Sequence, residues 1–149
     1  MSSGDVPAAT VCFREAVRID PEFAEAHANL GMLLDEGGMS AEAEYHYLYA
    51  VTLNPDLGKA HMNLGVLLAN QKRFEKAEAS YRRALDLIPD SPAAWSNFGA
   101  LKACLKQEEE AEASYRRALA LDPNYRLASF NLSYLLLRQG RFEAGWQCL

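Results

Sequence analysis

Apolar residues along this chain recur three and four places apart and never settle into sustained alternation, so the ordered segments read as helices and none as a strand. The spacing predicts one set of helices over 24–36, 58–71, 92–105 and 126–139. A second set is predicted over 40–53, 74–87 and 108–121, preceded by an isolated copy of the same kind over 7–19. The stops agree with the pattern. Gly37-Gly38 and Gly140 close helices of the first set, and Asn54-Pro55, Ile88-Pro89 and Asp122-Pro123 close those of the second. Ser91 followed by Pro92 suits an N-cap and a first helical position.

The helices alternate because the sequence repeats. Pro21, Pro55, Pro89 and Pro123 are spaced by 34 residues each time. At that period Gly31, Gly65 and Gly99 align, with Ser133 in the fourth place, and Leu30, Leu64, Phe98 and Leu132 align before them. Phe13, Tyr47, Tyr81 and Tyr115 form an aromatic column, and Ala16, Ala50, Ala84 and Ala118 a small one. Ala43, Ala77 and Ala111 form another, which ends in Gly145. The string AEASYRRAL occurs at 77–85 and again at 111–119. So many columns at one period mark an internal repeat of helix pairs. The organisation expected is a lone second helix at 6–23, complete repeats at 24–57, 58–91 and 92–125, and a truncated fourth at 126–149.

Glycine within a helix costs about 1 kcal/mol relative to alanine, so Gly31, Gly65 and Gly99 call for close approach of a partner helix. Glu78 with Arg82, and Glu112 with Arg116, stand four apart and read as surface ion pairs.

Composition narrows the function. Half of the 149 residues are hydrophobic and 23% are charged, which excludes a disordered chain. The net charge of −5 argues against nucleic acid and against an anionic membrane surface. No window approaches membrane-spanning length, and the first residues lack a secretory signal, so a chain starting at Met1 is expected in the cytoplasm. Cys12, Cys104 and Cys148 form no CxxC pair, as expected of reduced or incidental thiols. His27 and His61 share a column but lack a third ligand, and His46 has no evident partner, so no metal and no cofactor are expected. No phosphate loop, HExxH or GxSxG string is present, and no enzymatic activity is expected.

Trp95, Phe98, Gly99, Ala111, Tyr115, Ala118 and Pro123 together resemble the signature of the tetratricopeptide repeat family. His27 and His61 take the tryptophan place, and Leu34, Leu68 and Lys102 the tyrosine place. The resemblance covers residues 6–149. It implies an all-α fold, an alpha-alpha superhelix of antiparallel helix pairs, whose first helices line a concave groove that binds protein or peptide. On that side would lie Lys59, Met62 and Val66, Ser96, and the apolar Phe130 and Tyr134.

Asn29, Asn63, Asn97 and Asn131 occupy one column of the same side. Asparagine inside a helix forgoes roughly 0.5–0.7 kcal/mol against alanine, so the column calls for compensation. An amide offers both donors and an acceptor, and a row of them suits the main chain of an extended peptide. The row resembles the asparagine ladder in the repeats of O-linked N-acetylglucosamine transferase. The alternative is that the column was copied by duplication, or that the amides bond to a neighbouring helix. The function expected is therefore a protein-interaction scaffold gripping an extended segment. The alternatives are a self-assembling structural module joined through its open repeat ends, and a substrate-recruiting arm of a larger glycosyltransferase.

Overall fold

The computed structural model describes residues 5–149, which divide into two compact units that meet between Leu87 and Ile88. The first holds α1 (Asp5–Ile19), α2 (Ala24–Glu36), α3 (Ser40–Leu53), α4 (Gly58–Asn70) and α5 (Phe74–Leu87). The second holds α6 (Pro92–Cys104), α7 (Glu108–Leu121), α8 (Arg126–Arg138) and α9 (Phe142–Gln147). Among the described residues there is no strand, and the class is all-α as expected. In the first unit α2 pairs with α3 and α4 with α5, while α1 packs on α2 and α3 on α4. In the second α6 pairs with α7 and α8 with α9, and α8 rests on both α6 and α7. Helix α1 starts two residues earlier than its pattern suggested. Pro7 then falls in the first turn, where backbone N–H groups have no intrahelical partner to lose.

Two kinds of linker punctuate these pairs. Ahead of α2, α4 and α8 an Asp or Asn precedes the proline and its side-chain oxygen accepts a backbone N–H two residues on. Asp20 takes that of Glu22 at 3.1 Å, Asn54 that of Asp56 at 3.1 Å and Asp122 that of Asn124 at 2.9 Å. Ahead of α6 the residue before proline is Ile88. The start is secured there by Ser91, whose Oγ accepts the Ala94 N–H at 3.2 Å, as its position before Pro92 suggested.

The linkers within pairs are helix C-caps. Gly38, Lys72, Lys106 and Gly140 occupy the same place and share positive φ, at 79°, 60°, 63° and 76°. This left-handed residue lets the next N–H reach back to the last turn, as Arg73 does to Leu68 O at 2.9 Å and Gln107 to Lys102 O at 2.9 Å. A lysine there pays a steric cost on the order of 1–2 kcal/mol that glycine avoids, partly offset by glycine's greater freedom in the unfolded chain. Lys72→Gly and Lys106→Gly should therefore each raise stability by roughly 0.5–1 kcal/mol, read as a higher urea midpoint with an unchanged slope. An unchanged or lower midpoint would refute the assignment of strain to these caps.

The glycine column has the cause its position implied. A Cβ on Gly31 would lie 2.9 Å from Tyr47 Cδ1, one on Gly65 2.8 Å from Tyr81 Cδ1, and one on Gly99 2.8 Å from Tyr115 Cε1. Each tyrosine is buried, and its ring lies across the helix that precedes it. Ala43, Ala77 and Ala111 are fully buried beside these rings. In the last pair the sizes are redistributed. Ser133 replaces the glycine, and a Cβ on Gly145 would come within 2.7 Å of Leu137 Cγ. Leu137 on α8, where the earlier pairs have Asp35, Ala69 and Ala103, is thus matched by Gly145 on α9. The core of the second unit gathers Tyr115, Ala128, Leu132, Leu135 and Leu136, with Trp95 and Tyr125 packed at its edge.

Candidate functional site

In the first unit α2 and α4 touch along part of their length, and they carry half of the expected binding positions. Asn29 and Lys59 are exposed, while Met62, Asn63 and Val66 are half-buried. Asn63 is not idle. Its amide hydrogen-bonds the phenol of Tyr47 on α3. Burial of that ring, with lesser contributions from Asp35 and Glu36, pushes the phenol well above its ordinary range, and the Asn63 bond works in the other direction. One of the four amides is thus tied to a neighbouring helix, the alternative open to the whole column.

In the second unit α6 and α8 stand side by side. Asn97 and Asn131 are half-buried. Around Asn131, one face of α8 carries Leu127, Phe130 and Tyr134, which are 50%, 61% and 62% exposed. Three large apolar side chains left this open on 13 residues of helix are more than scattered surface hydrophobics. Phe130 also borders a pocket of about 290 Å³ with Pro123, Asn124, Arg126, Ser129 and Leu149.

Ser96 departs from expectation. It is 1% exposed, and its Oγ has no hydrogen-bond partner, so it lines no open face. It sits at the margin of the α6 face, where a side chain this short stays inside. Phe130, at the same place one pair later, reaches out.

His27 and His61 share a column, and each turns to its own linker. His27 Nε2 lies 3.0 Å from Pro21 O, and His61 Nε2 lies 3.0 Å from Pro55 O. Trp95 donates its indole N–H to Pro89 O at 2.8 Å in the same way. In the first three pairs the column thus supplies a ring N–H aimed at a prolyl carbonyl, from imidazole or indole, whereas Ser129 in the fourth donates its hydroxyl to Cys148 O instead. His46 does have a partner, because its Nδ1 lies 2.9 Å from His27 Nδ1. Pairing the column of His27, His61 and Trp95 with that of His46, Ser80 and Ser114 was the signal in the sequence that could have revealed it. Among the described residues no three His, Cys, Asp or Glu side chains gather as metal ligands. None of the described helices is long and apolar enough to cross a membrane. All three cysteines are free, with Cys12 and Cys104 exposed.

The surface of the second helices is charged and paired. Arg82 meets Glu78 at 2.7 Å and Arg116 meets Glu112 at 2.8 Å, as their spacing implied. Glu112 also holds Arg141 at 2.6 Å, and the Arg141 bond is the main reason its carboxyl sits below the ordinary range.

No curated protein matches the chain. Among solved structures it is similar to one described as "Crystal structure of MamA", with a TM-score of 0.85 at 18% identity, covering 97% of this chain and 85% of that one. It is similar to MamA 41-end from Desulfovibrio magneticus RS-1 with a TM-score of 0.84 at 19% identity, covering 97% and 82%. The Pseudomonas aeruginosa pilF structure matches with a TM-score of 0.89 at 25% identity, covering 97% and 66%. Three family models, each described as Tetratricopeptide repeat, match residues 12–45, 56–124 and 109–145. With these matches and a period visible in every column, the chain belongs to the tetratricopeptide repeat family.

Proposed function

We propose that this chain is a protein-interaction scaffold, and that the outer faces of α2 with α4 and of α6 with α8 each hold an extended polypeptide segment. The scaffold role follows from the family and its fold. The binding mode rests on one observation above the rest: Asn131 is flanked on α8 by Phe130 and Tyr134, both more than 60% exposed. A free amide can pair with peptide main chain without reading its sequence, and aromatic rings beside it cover apolar side chains of the guest. In the first unit Asn29 is the exposed amide, with Met62, Val66 and Lys59 around it.

The bond from Asn63 to Tyr47 shapes the test. Asn63→Ala would release a buried phenol and lower stability as well as affinity, so the amides of the second unit are the cleaner probe. Extended peptides selected from a random library on the full chain should bind the Asn131→Ala/Phe130→Ala/Tyr134→Ala variant about tenfold or more weakly, with an unchanged melting temperature. Undiminished binding by that variant, or a library that yields no binder, would overturn the reading.

A further inference from the structure

The first helix pair contains a feature that the second and third lack. His27 on α2 and His46 on α3 are 5% and 7% exposed, and their Nδ1 atoms face each other at 2.9 Å. The places of His46 in the next two pairs are taken by Ser80 and Ser114, and that of His27 by His61 and Trp95. The rest of the geometry fixes the protons. Pro21 O can only accept, so His27 carries its hydrogen on Nε2, and a neutral His27 presents a bare Nδ1. His46 must then donate from Nδ1, and its Nε2 is left without a hydrogen, 3.9 Å from Glu42 Oε1. One proton is shared between two buried rings, and the neutral pair is satisfied.

We propose that the His27–His46 pair is an acid-sensitive latch that holds α2 to α3 when neutral and loosens α1, α2 and α3 when protonated. A first proton on His46 Nε2 makes a buried cation. Glu42 faces it but is already held by Arg14 from α1, at 2.6 and 3.1 Å, so little of its charge is left to compensate. A proton on His27 Nδ1 would set two N–H groups against each other at 2.9 Å and abolish the bond. The other groups around the pair are the phenols of α3. Tyr49 packs on His27 with centroids 4.7 Å apart, and Tyr45 meets His46 edge-on at 5.1 Å. The charges acting on His46 come from His27 on α2, Glu42 on α3 and Arg14 on α1, and none from α4. Burial first, then His27, hold His46 below the ordinary imidazole range against the pull of Glu42. A histidine depressed in the folded state leaves the unfolded chain binding the extra proton. Stability is then complete above about pH 6.5 and declines as the pH falls below it.

The test is hydrogen exchange on the full chain between pH 7.5 and 5.5, read as amide protection factors. Wild type should lose up to about tenfold in α1–α3, because the imidazole of the unfolded chain charges below about pH 6.5 and each pH unit below that is a factor of ten in the opening equilibrium. The double variant His27→Trp/His46→Ser, which copies the third pair, should lose much less. His61 is present in both chains and is also depressed by burial, so its contribution cancels in the comparison. A change under about twofold in wild-type α1–α3, or an equal loss in the variant, overturns the latch. If the variant fails to fold, imidazole NMR titration of wild type decides. His46 titrating below the ordinary imidazole range, with α1–α3 protection lost as it charges, supports the proposal; ordinary titration with unchanged protection overturns it.

Discussion

Gly99→Ala should destabilise the second unit by about 1–3 kcal/mol, although alanine is the better helix former. Propensity alone would favour the substitution by roughly 1 kcal/mol, so the two effects have opposite signs and the measured sign decides between them. Packing should win, because the added Cβ would lie 2.8 Å from Tyr115 Cε1 and 3.2 Å from the backbone oxygen of Ala111. The ring can swing only into a core that includes Ala118 and Leu132, and the Ala111 backbone is held in α7. Urea unfolding of the full chain, followed through the aromatic signal of the second unit, gives the value. In the Gly99→Ala/Tyr115→Leu double variant the loss should be less than the sum of the two single losses, because the smaller side chain makes room for the methyl. An increase in stability from Gly99→Ala would refute the close-approach account of the whole glycine column.

The second large effect runs the other way. Lys102 is 2% exposed in a column otherwise held by Leu34, Leu68 and Leu136. Its Nζ reaches Gln107 Oε1 at 3.0 Å and Glu110 Oε2 at 3.2 Å, and it lies 5.2 Å from the centre of the Phe98 ring. A buried cation of this kind is costly to desolvate, and its partners return only part of that cost. Gln107 and Glu110 are themselves exposed and regain water if the lysine is lost. Lys102→Leu should therefore stabilise the chain by about 1–3 kcal/mol, while Lys102→Ala, which removes the charge but leaves a hole, should not. A melting temperature that falls for Lys102→Leu would show that the ammonium contributes net stability.

Much of this architecture was visible in the residues. Period, helix spacing and stop signals placed α1 to α8 to within about two residues, because columns of Leu, Gly, Tyr and Ala report packing directly; α9, in the truncated last repeat, had no range assigned. The positive φ of Lys72 and Lys106 was less visible, because lysine does not advertise a left-handed conformation and only alignment with Gly38 and Gly140 reveals it. The site was legible in outline alone. Spacing assigns a helix face to within one position, and Ser96 lies at that margin, so its burial depends on side-chain length. The engagement of Asn63 with Tyr47 and of His46 with His27 depends on rotamers and on which helices abut, and neither follows from a single column.

The redistribution of size between α8 and α9 has a practical corollary for anyone shuffling these segments. Helices of the two classes are cut as matched sets. A chimaera placing α7 directly after α8 would drive a tyrosine ring against Ser133, and one placing α9 after α6 would set a glycine opposite Ala103 and leave a methyl-sized gap. Junctions for recombination belong in the proline linkers between hairpins, where whole pairs can be exchanged without disturbing the fit inside either.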